Sequence, residues 1–302
     1  MRVLIIGCGY VGLPLGAELA RCGHEVFGVR RDEARAGELR ERGVTPVFAD
    51  VTRREDFGKI PGPFDWVVNT VSSTKGGVEE YRAVYRDATC HLLDWLSTQA
   101  PRRYVYTSST SVYAQTNGKW VTEESATEPD SETGRVLVET EQLLLAAARG
   151  KNFPAVILRV AGIYGPERGH LFQQYLRGEA RLDGDGSRLL NMIHRDDVVG
   201  AIVAALERGR PGEIYNAGDD EPVTQREFFE WLSGQLHRPM PPAASEADSP
   251  ARKRALTHKR VSNRKLRLEL RCELKYPTFR QGYSAEMARL QAAGQMPAAD
   301  GS

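Results

Sequence analysis

Short apolar runs alternate with amphipathic stretches along the first 160 residues. The apolar runs lie at 2–6, 25–29, 46–49, 65–70, 103–108 and 155–160, and we predict a β-strand at each. Leu and Ala recur at helical spacing in residues 80–99 and 134–149, which predicts helices, the second ending near Gly150. Several runs are apolar at consecutive positions, as strands covered on both faces are. The alternation predicts an α/β fold with a doubly wound parallel sheet.

The pattern becomes less regular after residue 165, which indicates a second, smaller lobe. Residues 238–251 are rich in Pro, Ala and Ser and predict a mobile connection within it, and residues 293–302 predict a disordered tail. The chain has 302 residues, 41% of them hydrophobic, and a formal net charge of +1. These values exclude wholesale disorder and a strongly charge-driven partner.

Segments that would direct the chain to a membrane or an oxidising compartment are not evident in the sequence. Charges or glycines interrupt every apolar run before it reaches the roughly 20 residues that a bilayer requires. The chain starts on a predicted strand without a signal-peptide pattern, so we expect a cytoplasmic protein. Four cysteines lie far apart without metal-ligand spacing, and we expect free thiols and no metal site.

A glycine motif follows the first predicted strand and opens a predicted helix. Gly7, Gly9 and Gly12 form GCGYVG, and a second strand begins about 20 residues further on. In this context Gly7 permits a tight turn, Gly9 lets a pyrophosphate approach the backbone, and Gly12 allows the helix to pack closely on the sheet. We therefore expect a dinucleotide site here, which Tyr10 and Val11 also contact.

The end of the second predicted strand indicates which dinucleotide binds. Where an acidic residue would hold the ribose 2′-hydroxyl of NAD, the sequence has Arg30 and Arg31. Arginine complements a 2′-phosphate, so NADP(H) is favoured over NAD(H). The alternative is that Asp32 takes the place of the acidic residue. Residues expected to line the same site after the third and fourth strands are Asp50, Val51 and Thr70.

Four stretches stand in a recognisable order along the chain. They are GCGYVG at 7–12, YTSSTSVYA at 106–114, LRVAGIYGP at 158–166, and the run from DGDG at 183–186 to IYNAGDDEPVT at 214–224. Together they resemble the extended branch of the short-chain dehydrogenase/reductase superfamily, from Met1 to about Tyr283. The resemblance implies a seven-stranded Rossmann sheet and a C-terminal cap for a substrate, often a nucleotide sugar.

The resemblance also assigns domains and individual residues. It implies a dinucleotide-binding domain of residues 1–165 and 195–222. The substrate cap would comprise residues 166–194 and 223–292. Ser109 matches the family's catalytic Ser/Thr, and Tyr164 belongs to the segment beside the nicotinamide. His194 and Asp197 match the motif that ties the cap to the sheet.

The family's catalytic Tyr and Lys are missing. The family places a Tyr and, four residues on, a Lys before a Glu-Gln-Leu-Leu pattern, and alignment on Glu141 puts Thr133 and Leu137 at those positions. A phenol with a pKa of about 10 needs a nearby cation to transfer protons near neutral pH. Leu137 supplies no charge and Thr133 is not a phenol. The chain therefore resembles an atypical subgroup of NAD(P)-dependent epimerase/dehydratase-like proteins that lacks the pair.

Another side chain must then supply the acid or base. Tyr113, four residues beyond the matched serine, is the first candidate, with Tyr164 and His194 behind it. The alternative for Tyr113 is that its ring packs against the sheet edge. Tyr81 and Tyr85, one helical turn apart, either point toward the site or pack.

Arginines near the predicted turns are candidates for binding an anionic substrate. Arg159 and Arg168 flank the IYGP turn, and Arg188 follows DGDG. Each either binds a substrate phosphate or carboxylate or forms a surface ion pair. Residues 252–275 hold ten Lys or Arg against two Glu, which indicates a solvated helix face or part of the cap lining. The run contains no aromatic residue, so we do not expect nucleic-acid binding.

These features predict an NADP-binding oxidoreductase or epimerase for a small polar, anionic, nucleotide-sugar-like substrate. Ser109 would polarise the reacting oxygen. The alternative is a non-catalytic NADP-binding protein that senses redox state or regulates a partner. The helices predicted at 80–99 and 134–149 resemble those of the superfamily's four-helix dimer interface, so a homodimer is expected.

Overall fold

Parallel strands form the central sheet of the computed structural model, which describes residues 1–244 and 257–296. The strands in chain order are β1 Arg2–Ile6, β2 Glu25–Arg30, β3 Val44–Phe48, β4 Trp66–Asn69, β5 Arg103–Ser109, β6 Trp120–Val121, β7 Ala155–Val160, β8 Gly162–Tyr164, β9 Leu189–Leu190, β10 Met192–His194, β11 Ile214–Ala217, β12 Val223–Thr224 and β13 Arg260–Val261. Seven of them form one sheet in the order β11-β7-β5-β4-β1-β2-β3.

Helices alternate with these strands along the chain. In chain order they are α1 Gly12–Arg21, α2 Ala36–Glu41, α3 Val78–Tyr81, α4 Ala88–Leu96, α5 Glu132–Lys151, α6 His170–Leu176, α7 Arg195–Arg208, α8 Gln225–Leu236, α9 Arg264–Glu269 and α10 Phe279–Ala292. A π-helical segment, Arg82–Asp87, joins α3 to α4.

The sheet is buried on both faces. In β1, Val3 and Ile5 face one apolar cluster, which α1, α2, α7 and α9 complete, and Leu4 and Ile6 face a second cluster with α4 and α5. Alternate side chains of a strand point to opposite faces, so a strand covered by helices on both sides must be apolar at every position. The predicted doubly wound α/β fold is confirmed.

The six predicted strands and both predicted helices are present with small changes at their ends. The first helical prediction, 80–99, corresponds to α3, the π segment and α4. The second helix ends near Gly150, as predicted, but Gly150 is not the residue that ends it. Helix α5 runs on to Lys151, and Asn152 is the C-cap in the left-handed conformation, at a φ of 53°. Asn tolerates this conformation because its short polar side chain forms local hydrogen bonds.

A third apolar cluster lies in the region expected to be the cap. Phe172, Phe228, Phe279 and Tyr283 are among its buried members. Residues 242–244, within the predicted mobile connection, bond with the backbone of Leu182. The rest of that connection, 245–251, lies outside the described residues. The predicted tail does too from residue 297 onward.

The strand order places two loops together at one edge of the sheet. The chain proceeds from β1 outward to β2 and β3, and returns to add β4 on the other side of β1. The loops that follow β1 and β4 therefore leave the sheet side by side in opposite directions. Such a switch point creates a crevice at the carboxyl ends of the strands, where ligands bind in open α/β sheets.

Candidate functional site

The glycine turn after β1 has a backbone that requires glycine at two of its three positions. Gly7 has a φ of +83°, and a Cβ there would lie 2.7 Å from the backbone nitrogen of Val71. A Cβ on Gly12 would lie 2.7 Å from the carbonyl oxygen of Gly7 and 3.0 Å from a methyl group of Ile5. Both contacts are too short, so Gly7 serves the turn and Gly12 serves the close packing of α1 on β1.

Gly9 differs because it faces open space. A Cβ built on it would meet nothing nearer than the Gly7 carbonyl oxygen at 3.8 Å. The fold itself therefore does not need glycine at position 9. Helix α1 begins three residues later, and its N-cap, Val11, makes no side-chain capping bond. An open space beside bare backbone at a helix N-terminus fits a pyrophosphate.

Tyr10 connects the glycine turn to the segment after β8. Its hydroxyl donates to the carbonyl oxygen of Pro166 at 3.0 Å. The guanidinium carbons of Arg168 and Arg195 lie 4.7 Å and 5.4 Å from its ring centroid. Burial raises the pKa of Tyr10 to about 12, so the phenol is neutral. Tyr10 thereby helps to place Arg168 at the rim of the cleft.

A cleft of about 410 Å³ opens above this turn. It lies at the switch point between β1 and β4, where Thr70 donates its hydroxyl to the Gly7 carbonyl oxygen at 2.9 Å. The predicted cofactor residues that line it are Gly7, Gly9, Tyr10, Val11, Arg30, Arg31, Asp50, Val51 and Thr70. Gly12 lies beneath the turn, and Tyr164 lines a neighbouring cavity.

The far end of the cleft carries the two arginines that follow β2. Arg30 is 14% exposed, and its Nη1 lies 3.3 Å from Glu38. Arg31 is exposed at the rim. The neighbouring Asp32 accepts the backbone N–H of Ala34 at 2.9 Å and so caps a short helical turn. Asp32 is the residue that could hold the ribose 2′-hydroxyl of NAD, and one of its two carboxylate oxygens is therefore already engaged.

A second cavity of about 580 Å³ adjoins the cleft, and Ser109 lines both. Its Oγ accepts the backbone N–H of Ser111 at 3.2 Å, and its hydroxyl hydrogen has no acceptor among the described residues, so it is available to a bound oxygen. Arg168 also lines both cavities, and Arg188 lines the second, 3.4 Å from Asp183. Among the residues that the structure describes, no Asp or Glu lines the second cavity.

The positions of the missing catalytic pair lie at the same junction. Thr133 lines the second cavity, and Leu137, one turn further along α5, lines the cleft. This placement agrees with the alignment on Glu141. Tyr81 and Tyr85 line the cleft, and their rings also contact each other in a tilted arrangement, with centroids 4.9 Å apart and an interplanar angle of 52°.

Tyr113 is not in the site, so the prediction that it supplies a proton is wrong. Its side chain is fully buried and lines neither cavity. The hydroxyl donates to Asn216 Oδ1 and accepts from Arg159 Nη1, both at 2.8 Å. Burial raises the pKa of the phenol. The structure supports the alternative, in which the ring packs against the sheet.

The prediction that Arg159 contacts the substrate is also wrong. Its guanidinium forms a two-pronged ion pair with Glu141, with Nη2 at 2.7 Å and Nε at 3.1 Å from the carboxylate. The two side chains are only 4% and 3% exposed. Glu141 also accepts the hydroxyl of Ser108 at 2.5 Å. These buried contacts join β7 to α5 beneath the site and leave Arg159 no access to a ligand.

Tyr164 packs in the third apolar cluster. Its ring stacks on Tyr283 at a centroid distance of 4.3 Å, and its buried hydroxyl has no hydrogen-bond partner among the described residues. The neighbouring His194 caps α7 and places its Nε2 3.5 Å from Glu286 on α10. Asp197 accepts the backbone N–H groups of Lys275 and Tyr276 at 2.5 Å and 3.1 Å. These contacts tie the C-terminal segment to the sheet domain.

Lys259 is a site residue that the sequence analysis did not single out. It stands in the basic run 252–275, yet it is only 4% exposed and lines the second cavity. Burial lowers the pKa of its ammonium group to about 8. Composition marks the run as basic but does not distinguish this lysine from its solvated neighbours.

Comparison with known proteins gives a match over most of the chain. The sequence model of the NAD dependent epimerase/dehydratase family matches residues 3–218. Protein YeeZ of Escherichia coli K12 is 28% identical over 284 residues, which cover 91% of this chain and 96% of that protein. None of the helices in the described part of the chain is long and apolar enough to cross a membrane.

Solved structures share the architecture. A functionally unknown conserved protein from Silicibacter pomeroyi is 28% identical, with a TM-score of 0.79 over 96% of this chain and 99% of that chain. UDP-glucuronic acid 4-epimerase from Bacillus cereus, in complex with NAD, is 20% identical. Its TM-score is 0.81 over 97% of this chain and 99% of that chain. The second likeness shows the fold.

Proposed function

This chain belongs to the NAD-dependent epimerase/dehydratase family, and from that premise we propose that it binds NADP(H) and oxidises, reduces or epimerises a small polar, anionic substrate. The family match supports a nicotinamide dinucleotide and an oxidoreductase or epimerase activity in general. The open space beside Gly9, in a cleft that ends at Arg30 and Arg31, carries the finer proposal.

The choice of NADP(H) rests on the charges at the end of β2. A 2′-phosphate at that end of the cleft would lie near two guanidinium groups, which form strong charge-assisted bonds with phosphate oxygens. Asp32, the group that would favour NAD, already caps a helical turn with one of its oxygens. Asp50 and Val51 line the cleft after β3, where they would contact the adenine.

The second cavity is the proposed substrate site. Arg168, Arg188 and Lys259 line it, and no carboxylate of the described residues does. This excess of positive charge favours an anion such as a carboxylate or phosphate. Ser109 would donate its free hydroxyl hydrogen to the reacting oxygen, since it lies where the two cavities meet. The dinucleotide would supply the hydride chemistry.

NADPH and NADH titrations of the protein test the cofactor proposal. We expect tighter binding of NADPH, and about a tenfold or greater loss of NADPH affinity in Arg31→Ala, because one charged hydrogen bond contributes about 1.5–3 kcal/mol. Arg35→Ala is the matched control, since Arg35 pairs with Glu38 and does not line the cleft. Failure of both nucleotides to bind below roughly millimolar concentration would end the proposal.

The absence of the catalytic pair supports a second candidate, a non-catalytic protein that binds NADP(H) and reports redox state. Thr133 and Leu137 line the site and cannot transfer protons as the family's Tyr and Lys do. Incubation of the NADPH complex with carbonyl compounds and nucleotide sugars separates the two. Oxidation of NADPH that Ser109→Ala abolishes favours the enzyme, whereas retained NADPH without turnover favours the sensor.

Three further expectations form part of the proposal. The dinucleotide-binding domain would comprise residues 1–165 and 195–222, and the cap residues 166–194 and 223–292. The protein would reside in the cytoplasm. Two copies would pair through the helices at 78–96 and 132–151. Light scattering during size-exclusion chromatography measures the molar mass and so tests whether the protein is a dimer.

A further inference from the structure

Lys259 enters the second cavity from the C-terminal part of the chain. It precedes β13, far in sequence from the glycine turn and from Ser109. Its side chain is buried, yet it lines the same cavity as Ser109 and Thr133. The cavity that contains the position lacking the family's phenol therefore also holds an ammonium group.

The backbone on either side of Lys259 is held firmly. The side-chain amide of Asn191 donates to the Lys259 carbonyl oxygen at 3.0 Å and accepts the N–H of Val261 at 2.7 Å. On the other side, His258 donates its backbone N–H to Gln115 at 2.9 Å, and Arg260 donates to Lys119 at 2.9 Å. Because the backbone on both sides of Lys259 is hydrogen-bonded, the position from which its side chain leaves the cavity wall is fixed.

Among the described residues, the ammonium group has fewer acceptors than it has N–H groups. Its Nζ donates to the Tyr113 carbonyl oxygen at 2.8 Å and to the Thr257 hydroxyl at 2.9 Å. An ammonium has three N–H groups, so one has no acceptor within this part of the chain and could bind a ligand. No Asp or Glu within residues 1–244 and 257–296 forms an ion pair with it. A buried cation without a counter-ion is costly, and a bound anion or a carbonyl oxygen would relieve that cost.

Burial lowers the pKa of Lys259 to about 8, which favours loss of its proton near neutral pH. The titratable and charged groups that share its cavity or flank it are Arg168, Arg188, His170, His258, Arg260 and the phenols of Tyr81, Tyr164 and Tyr283. None of these is an acidic side chain that would stabilise the charged ammonium. Lys259 can therefore both give and take a proton under physiological conditions.

We propose that Lys259 is a catalytic residue of this cavity, where it donates a proton to the oxygen of a substrate carbonyl that Ser109 also contacts. The inference rests on the proposed function, in which a reduced nicotinamide delivers the hydride, with its electron pair, to the carbonyl carbon. The carbonyl becomes an alcohol as the O–H bond forms and the N–H bond of Lys259 breaks. The neutral amine then recovers a proton from water. In the oxidative direction the amine accepts the proton.

Reductive labelling of the wild-type protein tests access and reactivity without any cofactor. Glyoxylate, a small anionic aldehyde, is incubated with the protein and cyanoborohydride at pH 7, and peptide mass spectrometry measures carboxymethylation at each lysine. We expect Lys259 to react at least tenfold faster than the exposed Lys119, because a lysine of lower pKa holds a larger neutral fraction. The labelling rate of Lys259 should level off above pH 8.

Labelling at Lys259 that is no faster than at Lys119 overturns the inference, even where NADPH binds. Failure of NADPH to bind overturns the proposed function. The labelling rate of Lys259 then still tests the access and reactivity of its amine, because it is measured without any cofactor. With a compound that the NADPH complex reduces, kcat should fall as pH rises through about 8, and Lys259→Arg should lose at least a hundredfold in kcat together with that pH dependence. An unchanged pH profile in Lys259→Arg contradicts the proton transfer.

Discussion

Removal of one partner from the buried Arg159–Glu141 pair should destabilise the protein strongly. In Arg159→Met the ion pair is lost, and Glu141 stays buried at 3% exposure with the Ser108 hydroxyl as its remaining side-chain partner. The change also removes the donor to the Tyr113 hydroxyl. Breaking a buried pair from one side costs about 3–5 kcal/mol of unfolding free energy. A large fraction of the total stability, roughly 5–15 kcal/mol, would then be lost.

The double variant tests whether the cost arises from the unpaired charge. Glu141→Gln leaves Arg159 buried without its carboxylate and should cost about as much as Arg159→Met. Glu141→Gln combined with Arg159→Met removes both charges, and Gln can still accept from Ser108. We therefore expect the double variant to be no less stable than either single one, with a coupling free energy of at least about 2 kcal/mol.

Equilibrium unfolding in urea, followed by circular dichroism, measures all four proteins. Affinity for NADPH, measured where each variant is folded, should be unchanged, because Arg159 lines neither cavity. The buried-pair argument would be refuted if the losses of unfolding free energy in the two single variants added up to that of the double variant, or if each single loss were below about 1 kcal/mol. A loss of ligand affinity at full stability would restore the sequence-based prediction that Arg159 contacts the substrate.

Four other substitutions test the buried acid, the phenol without a partner and the two glycines of the turn. Burial raises the pKa of Asp219 to about 8. The folded protein therefore keeps a proton that the unfolded chain loses near pH 4, and the stability of the wild type decreases as the pH rises from about 4 to about 8. Asp219→Asn should remove this decline. At pH 8 the variant should be more stable than the wild type by up to about 5 kcal/mol, whereas at pH 4 it should not be more stable. Urea unfolding measures the difference, and an equal dependence of stability on pH in the two proteins would contradict the reasoning. Tyr164→Phe should keep or raise the melting temperature and retain NADPH binding, because the lost hydroxyl has no partner among the described residues. A marked drop in the melting temperature or in NADPH affinity would contradict this and show that the hydroxyl makes a stabilising contact. Gly12→Ala should lower the free energy of unfolding by about 1–3 kcal/mol, because its Cβ would lie 2.7 Å from the Gly7 carbonyl oxygen. Gly9→Ala should keep the melting temperature and lose NADPH affinity. The reverse result would contradict the roles assigned to the two glycines.

The parts of the fold that repeat a local pattern could be predicted from the sequence. Strand β1 is apolar at consecutive positions because both its faces are covered. The spacing of Gly7 and Gly12 after it partly reflects local contacts, since Gly12 lies against Gly7 and Ile5, although Gly7 also lies against Val71 after β4. The end of α5 was predicted closely, but its C-cap residue was not. Gly150 and Asn152 both permit a helix to end, and only the backbone shows that Asn152 adopts the left-handed conformation.

The side chains of the site could be predicted less well, since their environments depend on distant segments. Arg159 resembles a turn arginine in the sequence, but β7 faces Glu141 on α5, and the two form a buried pair. Tyr113 is satisfied by Asn216, about a hundred residues away. Lys259 becomes a site residue only because Asn191 holds its backbone at the cavity. Charge and spacing along the chain contain no record of these contacts.

A crystal of the protein soaked with NADP⁺ would show whether the cleft holds the dinucleotide. We expect density for a pyrophosphate over Gly9 and for a 2′-phosphate beside Arg30 and Arg31, with the nicotinamide directed toward Ser109. A cleft that remains empty at millimolar nucleotide, or a dinucleotide bound away from the glycine turn, would contradict this expectation.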